Sequence, residues 1–260
     1  MEAVAMIIVK GDDDIISMRR AGRITAEVLA AACGQIVAGI STGELDEIVA
    51  AELIARGAKS ACLGYGRKDC PFPSHACISL NDEIVHGIPS KGRIVRNGDI
   101  VSIDLVADVD GFMGDSTRTI AVGDVDASVA RLLAVTEAAL QRGIAAARPG
   151  NRVGDISFAI EQMALSEGFA VIKELVGHGI GRDMHEDPQI PNWGAAKSGP
   201  ALAPGMTLAI EPMFALGDAK IKFFDDGWTV STFDGMPAAH FEHTILVTKS
   251  DPEILTVSEK

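Results

Sequence analysis

Three glycines recur at one fixed interval. Gly39, Gly43 and Gly57 precede Gly150, Gly154 and Gly168 by 111 positions, and Glu44-Leu45 answers Asp155-Ile156 at the same offset. From Asp14 the text IISMRRAGRITAEVLAAACGQIV carries Ile15, Met18, Ile24, Val28 and Leu29 at helical spacing, with Gly39 as the expected stop. STGELDEIVAAELIARG then reads as a second helix, where Ser41 and Glu44 form a capping-box pattern and Gly57 supplies a left-handed end. Residues 126–148 and 150–168 repeat this pair. A chain that writes one helix pair twice is constrained to a fold with two similar halves.

Strand-like text follows each pair: SACLGY, ACISL and DIVSIDLVADV in the first half, and AVIKELVGHGIG, MTLAIEPMFAL, WTVSTF and HFEHTILVT in the second. Helix, helix, strands, twice over, predicts an α+β fold with helices on one face of a largely antiparallel sheet and a cleft shared by the halves. No Pro- or Ser-rich linker divides the 260 residues, so one domain, 1–260, is expected, with pseudo-repeats at about 12–120 and 123–250.

The acidic balance narrows the partners. With 36 acidic against 23 basic residues the net charge is -13, which argues against nucleic acid or an anionic membrane and leaves carboxylates available for cations. No apolar run approaches bilayer length. Residues 1–9 carry Glu2 and no leading basic cluster, so no secretory signal is read. Cys33, Cys62, Cys70 and Cys77 lack C-x-x-C spacing and read as reduced thiols, which places the chain in the cytoplasm.

Several of those carboxylates interrupt apolar strands. In VSIDLVADVDGFMGDSTRT, Asp110-Gly111 is a hairpin signal, and with those two residues as the loop Val109 faces Phe112, Val106 faces Asp115 and Asp104 faces Thr117. Asp104 and Asp115 then share a face as diagonal neighbours, about 7 to 8 Å apart. A lone Asp there would read as solvated; two that repel each other favour a cation site. Glu211 in MTLAIEPM and Glu242 in HFEHTILV must each be solvent-facing, paired or a ligand, and these strands lack the basic residues to pair them. With His178 they supply one imidazole and four carboxylates beside strands, a set suited to divalent ions bridged by carboxylates.

Residues 177–188, GHGIGRDMHEDP, hold His178 and His185 seven apart. A zinc-binding H-E-x-x-H needs histidines four apart on a helix, and these glycines oppose helix. A dinucleotide loop needs G-x-G-x-x-G running into a helix, whereas Gly177, Gly179 and Gly181 give G-x-G-x-G with Pro188 close behind.

Taken together, ELDEI, CLGY, CISLNDEIVHGIP, SIDL, GFMGDST, GHGIGRDMHEDP, IEPM and FEHT resemble the type I methionine aminopeptidases, in the short form, across nearly the whole chain. The resemblance implies the pita-bread (creatinase/aminopeptidase) fold, a curved antiparallel sheet with two pseudo-symmetric halves. It implies five metal ligands, Asp104, Asp115, His178, Glu211 and Glu242, holding two divalent ions per chain, drawn from Co, Mn, Fe, Zn or Ni. Asp115 and Glu242 would bridge both ions, Asp104 would complete one, and His178 with Glu211 the other. Ions about 3.5 to 4 Å apart lower the pKa of a bridging water and polarise the scissile carbonyl. By the same resemblance His185 meets the substrate carbonyl or its oxyanion, His86 the scissile amide nitrogen, and Glu211 accepts a proton from the attacking water. The methionine pocket would draw on Cys62, Tyr65, Phe72, Cys77 and Trp228.

Two departures stand out. Met184 occupies the place of an aromatic before the substrate histidine, and His240 the place of Gln before the aromatic-Glu-His of the last strand. The stretch RKDCPFPSH is also longer than in compact members. His75, His240 and His243 read as surface or packed histidines. The expected activity is removal of the initiator methionine from nascent chains with small second residues, by a cytoplasmic monomer in transient contact with the ribosome. The rivals are an Xaa-Pro-type aminopeptidase, which usually carries a large extra N-terminal domain, and a non-catalytic binding protein on the same fold, which would typically lose ligands.

Overall fold

The computed structural model describes residues 6–258, so part of the leaderless reading of residues 1–9 lies outside the described residues. Among the described residues four helices form, α1 (Asp12–Cys33), α2 (Thr42–Ala55), α3 (Ala127–Ala146) and α4 (Val153–Glu167). The first turn of α1 holds Asp12, Asp13 and Asp14, whose charge suits the positive end of the helix dipole. This helix ends at Cys33 rather than at Gly39. Its last bonds tighten to the three-residue reach of Gln35 N to Ala32 O and Ile36 N to Cys33 O, the usual way a helix end satisfies its carbonyls. Gly39 instead turns the chain at φ +101, where its N–H bonds Val95 O.

The capping box of α2 is complete. Ser41 N donates to Glu44 Oε2 at 2.8 Å and Glu44 N donates to Ser41 Oγ at 3.1 Å. Its counterpart in α4 has only one half: Arg152 N donates to Asp155 Oδ2 at 2.8 Å, and Arg152 has no side-chain acceptor to return the bond. Gly57 and Gly168 follow α2 and α4 at φ +68 and +75, a left-handed conformation that costs other residues energy.

Every strand pairing is antiparallel, and the two halves differ in how they use it. In the first half, Ile100–Val109 and Phe112–Ala121 form an unbroken hairpin turned by Asp110 and Gly111, both at positive φ. Its register is the expected one, with Val109 opposite Phe112, Val106 opposite Asp115 and Asp104 opposite Thr117. Helix α1 packs across both strands over a core that includes Met18, Val28, Leu45, Ile103 and Leu105.

In the second half the expected strands are cut. MTLAIEPMFAL splits into Thr207–Ile210 and Met213–Ala215, and the facing text splits into Ala238–His240 and His243–Leu246. Ile210 pairs with His243 on one side of the cut and Met213 with His240 on the other, so one register runs through both. That register sets Glu211 opposite Glu242 and Pro212 opposite Phe241. Like charges directly opposite repel, and Pro has no N–H for the ladder, which is why pairing lapses there. AVIKELVGHGIG likewise yields only Ala170–Val171 and Val176–Gly179, and SACLGY contributes only Ser60 to the strand Lys59–Ser60. Helices α3 and α4 cover this half over Leu132, Ile156, Leu208 and Phe214.

The halves meet along a seam of hydroxyls. Asp115 N donates to Thr244 Oγ1 (3.0 Å), which donates to Asp115 O (2.8 Å). Ser116 Oγ donates to Glu242 O (2.9 Å), and Glu242 N to Thr117 O (3.0 Å). Thr119 Oγ1 both donates to His240 O and accepts from His240 N. This seam carries Asp115 to the side of Glu242.

Candidate metal centre and substrate pocket

A cavity of about 140 Å³ opens at the seam, lined among others by Asp104, Asp115, His178, Glu211 and Glu242. Ligand atoms of Asp115, His178 and Glu242 lie within 4.8 Å of one another. His178 Nε2 is 3.7 Å from Asp115 Oδ2 and 3.5 Å from Glu211 Oε1, and its Nδ1 bonds Gly179 O at 2.9 Å. A carbonyl only accepts, so Nδ1 carries the proton and Nε2 turns its lone pair to the carboxylates.

The electrostatics are those of acids buried close together. Burial, then repulsion between neighbouring carboxylates, raises Asp115, Glu211 and Glu242 well above the ordinary carboxylate range. Burial lowers His178 to about 3, and His86 and His240 to about 4, so these imidazoles stay neutral. Among the described residues no Lys or Arg lines the cavity. Asp115 Oδ1 and Glu242 Oε1 are buried without a hydrogen bond. Orphaned carboxylate oxygens, neutral imidazoles and no competing cation fit divalent metal.

Thr117 Oγ1 stands 2.9 Å from both Asp104 Oδ1 and Glu242 Oε2. It has one proton for two carboxylates, and it ties the two halves' acids together. Sequence reading missed this role, although the register that sets Thr117 opposite Asp104 contained it.

All the expected pocket residues reach the same cavity. Cys62, Phe72 and Cys77 are buried beside Val106 and Met184, with Trp228 packed against them. Phe72 meets Trp228 edge-on at 5.3 Å between ring centroids, so the longer stretch after Tyr65 still delivers an aromatic wall. Met184 fills part of this apolar wall. Tyr65 is partly exposed, and its hydroxyl lies 2.6 Å from His185 Nδ1.

The two candidate substrate histidines are held by different means. His86 sits at φ 58, a backbone conformation that non-glycine residues seldom adopt and that tends to mark functional positions. His185 lies on the bend between Val176–Gly179 and Glu186–Pro191. That bend is fixed by Glu186, whose Oε1 accepts from Arg182 N and whose Oε2 pairs with buried Lys10. The glycines of this stretch serve close approach: a Cβ on Gly177 would lie 2.4 Å from Ala209 O, and one on Gly179 2.3 Å from Asp187 O.

The remaining histidines divide. His75 is half-buried away from the cavity, and His243 bonds Thr256 Oγ1 through Nδ1. His240, read from sequence as a packed or surface residue, is buried but lines the cavity with neither ring nitrogen bonded.

A duplicated helix-and-sheet fold that brings Asp104 and Asp115 from one hairpin together with Glu211 and Glu242 from the gaps of the other half's strands is the setting of a metal-dependent enzyme. The sequence profile of "Metallopeptidase family M24" matches residues 17–249. The chain is 45% identical over 251 residues to methionine aminopeptidase 1 of Bacillus subtilis, covering 96% of this chain and 99% of that one. It is 42% identical to the methionine aminopeptidase of Clostridium acetobutylicum, covering 98% and 100%. The crystal structure of the Thermotoga maritima methionine aminopeptidase superposes with a TM-score of 0.94 at 42% identity, covering 98% and 100%. The chain therefore belongs to metallopeptidase family M24, and within it to the methionine aminopeptidases, with their pita-bread fold.

Proposed function

We propose that this chain removes the N-terminal methionine from nascent polypeptides by hydrolysing the first peptide bond, with preference for small second residues. The observation that carries the reading is the single cavity in which an apolar wall, Cys62, Phe72, Cys77 and Trp228, adjoins the acid and imidazole donors. A methionine side chain suits that wall, and the bond after it falls beside the donors.

Asp104, Asp115, His178, Glu211 and Glu242 would hold two divalent ions. Bound there, the ions supply Lewis acidity and an ionised water at neutral pH. The chain's own groups do the rest. His178 keeps its lone pair toward the centre through its bond to Gly179 O. With the Tyr65 hydroxyl donating to Nδ1, His185 carries its proton on Nε2, available to the substrate carbonyl as that oxygen gains charge. His86 contacts the amide nitrogen that departs as the new amine. Glu211 would be the acceptor for the proton of the attacking water.

The same reading makes residues 1–260 one catalytic unit, since the donors come from both halves. It places the chain in the cytosol as a monomer, with its four cysteines free and the ribosome as a transient contact. Among the described residues no helix is long and apolar enough to cross a membrane.

The test is release of free methionine from a Met-Ala peptide, lost with chelator and restored by Mn, Co or Fe, beside an Ala-Pro peptide left uncut. No release with any divalent ion overturns the proposal. Cleavage of Ala-Pro alone would establish the Xaa-Pro reading instead, and a folded, metal-free, inactive chain the binding-protein reading.

A further inference from the structure

His240 closes the strand Ala238–His240 and is 2% exposed. Its backbone is pinned on both sides, by Thr119 Oγ1 across the seam and by pairing with Met213. Burial on a fixed backbone leaves the ring little room to turn away. It lines the metal cavity, and neither Nδ1 nor Nε2 has a hydrogen-bond partner. A buried imidazole with both nitrogens idle is costly, and proteins rarely tolerate it without an occupant nearby.

The nearest acidic group is Glu211. His240 Nε2 lies 3.6 Å from Glu211 Oε2, while His178 Nε2 lies 3.5 Å from Glu211 Oε1. A separation of 3.6 Å is too long for a hydrogen bond. It fits the spacing of two donors around one ion: ligand bonds of about 2.0–2.2 Å at ordinary coordination angles set neighbouring donors about 3 to 4 Å apart. Glu211 thus stands between two imidazoles, each facing a different oxygen.

We propose that His240 is a further metal ligand, donating Nε2 to the divalent ion that Glu211 binds. Glu211 and the two imidazoles then make a nitrogen-rich site. Nitrogen donors favour Zn, Co and Ni over Mn, so this ion is held with a preference for the former group. The role belongs to the ring alone, since the backbone of residue 240 serves the seam with any side chain.

The inference rests on the divalent-metal reading above, and the experiment separates the two. Wild-type chain is loaded with Zn or Co and its coordinated imidazoles are counted by X-ray absorption, beside His240→Gln and, as a control, His243→Gln, which removes a histidine outside the cavity. Two coordinated imidazoles are expected in wild type and in His243→Gln, and one in His240→Gln. Zn affinity, measured by chelator competition, should fall by more than about 100-fold in His240→Gln, beyond the loss typical of groups that only support a ligand, and Mn affinity less. Should His240→Gln fail to fold, cadmium-loaded wild type with labelled imidazole nitrogens gives the count directly, as couplings from cadmium to two rings. Metal uptake with one coordinated imidazole in wild type, or unchanged Zn affinity in folded His240→Gln, overturns this inference alone. A wild-type chain that takes up no divalent ion overturns the metal reading with it.

Discussion

The two halves of the molecule perform the same local tasks with unequal means. In both, a glycine turns the chain at positive φ before the second helix, Gly39 at +101 and Gly150 at +89. In both, a second glycine leaves no space for a side chain: a Cβ on Gly43 would lie 2.7 Å from Lys91 N, and one on Gly154 2.2 Å from Ser198 Oγ and 2.4 Å from Ala195 O. The backbone bonds match as well, Thr42 N to Arg93 O and Val153 N to Pro200 O. Yet the first half has a full capping box and an unbroken hairpin, whereas the second has half a box and strands cut at Glu211 and Glu242. Duplicated packing constraints have persisted where no alternative fits. Ladder continuity has lapsed where the site places like charges opposite each other.

The largest test asks whether the halves remain equal in chemistry. Asp115→Asn in the first half and Glu242→Gln in the second should each lower kcat/KM for a Met-Ala peptide by more than about 100-fold, beyond the loss typical of groups that only support a ligand. A loss confined to one half would show that the other merely scaffolds. Next in size, Gly43→Ala and Gly154→Ala should destabilise by similar amounts, about 1–3 kcal/mol each, through overpacking against backbone. Urea unfolding midpoints measure this, and a one-sided effect would reduce the repeat to a sequence likeness.

A pH experiment sharpens the electrostatic contrast. His86, His178, His240 and His243 have folded values of about 3 to 4 against 6.5 unfolded, so the folded chain binds fewer protons and metal-free stability falls as pH drops from 6.5 toward 4. The carboxyls have the opposite sign. Asp115, Glu211 and Glu242 are raised, so their contribution is present below the ordinary carboxylate range and is lost as pH rises through the folded values. As pH rises through the folded values of the carboxyls, chelated protein should lose up to about 1.4 kcal/mol per pH unit for each proton released; the thiols of Cys33 and Cys77, also raised, add a loss of the same sign in the thiol range. Excess Zn or Co should abolish that slope in urea unfolding, because the ion replaces the protons. An unchanged slope would break the link between these acids and metal.

The smallest test concerns the caps. Ser41→Ala should cost about 1 kcal/mol, and Arg152→Ser should gain a few tenths by supplying the missing acceptor. Thermal unfolding distinguishes the two signs.

Much of the fold was legible because its signals are local. The helix pairs, the Ser41 cap, the Asp110-Gly111 turn and the hairpin register all depend on residues a few positions apart, and the structure reproduces them. The end of α1 was misplaced because Gly34, five residues before Gly39, stays right-handed, so no local signal marks the stop. The cut strands were missed because MTLAIEPMFAL is apolar enough to pass for one strand, and the repulsion that parts it comes from Glu242, far along the chain.

The site divides along the same line. Residue types and register by themselves determined that Asp104 and Asp115 share a face and that acids without basic partners call for cations. That Asp115 meets Glu242 was decided only by the seam, where Thr244, Ser116 and Thr117 join strands more than a hundred residues apart. That His240 turns idle nitrogens toward Glu211, rather than packing against neighbours, was decided there too. Sequence spacing sets which side chains share an element and a face, because backbone geometry is periodic. Which faces then close on one another depends on the mutual burial of distant surfaces, which no local period records.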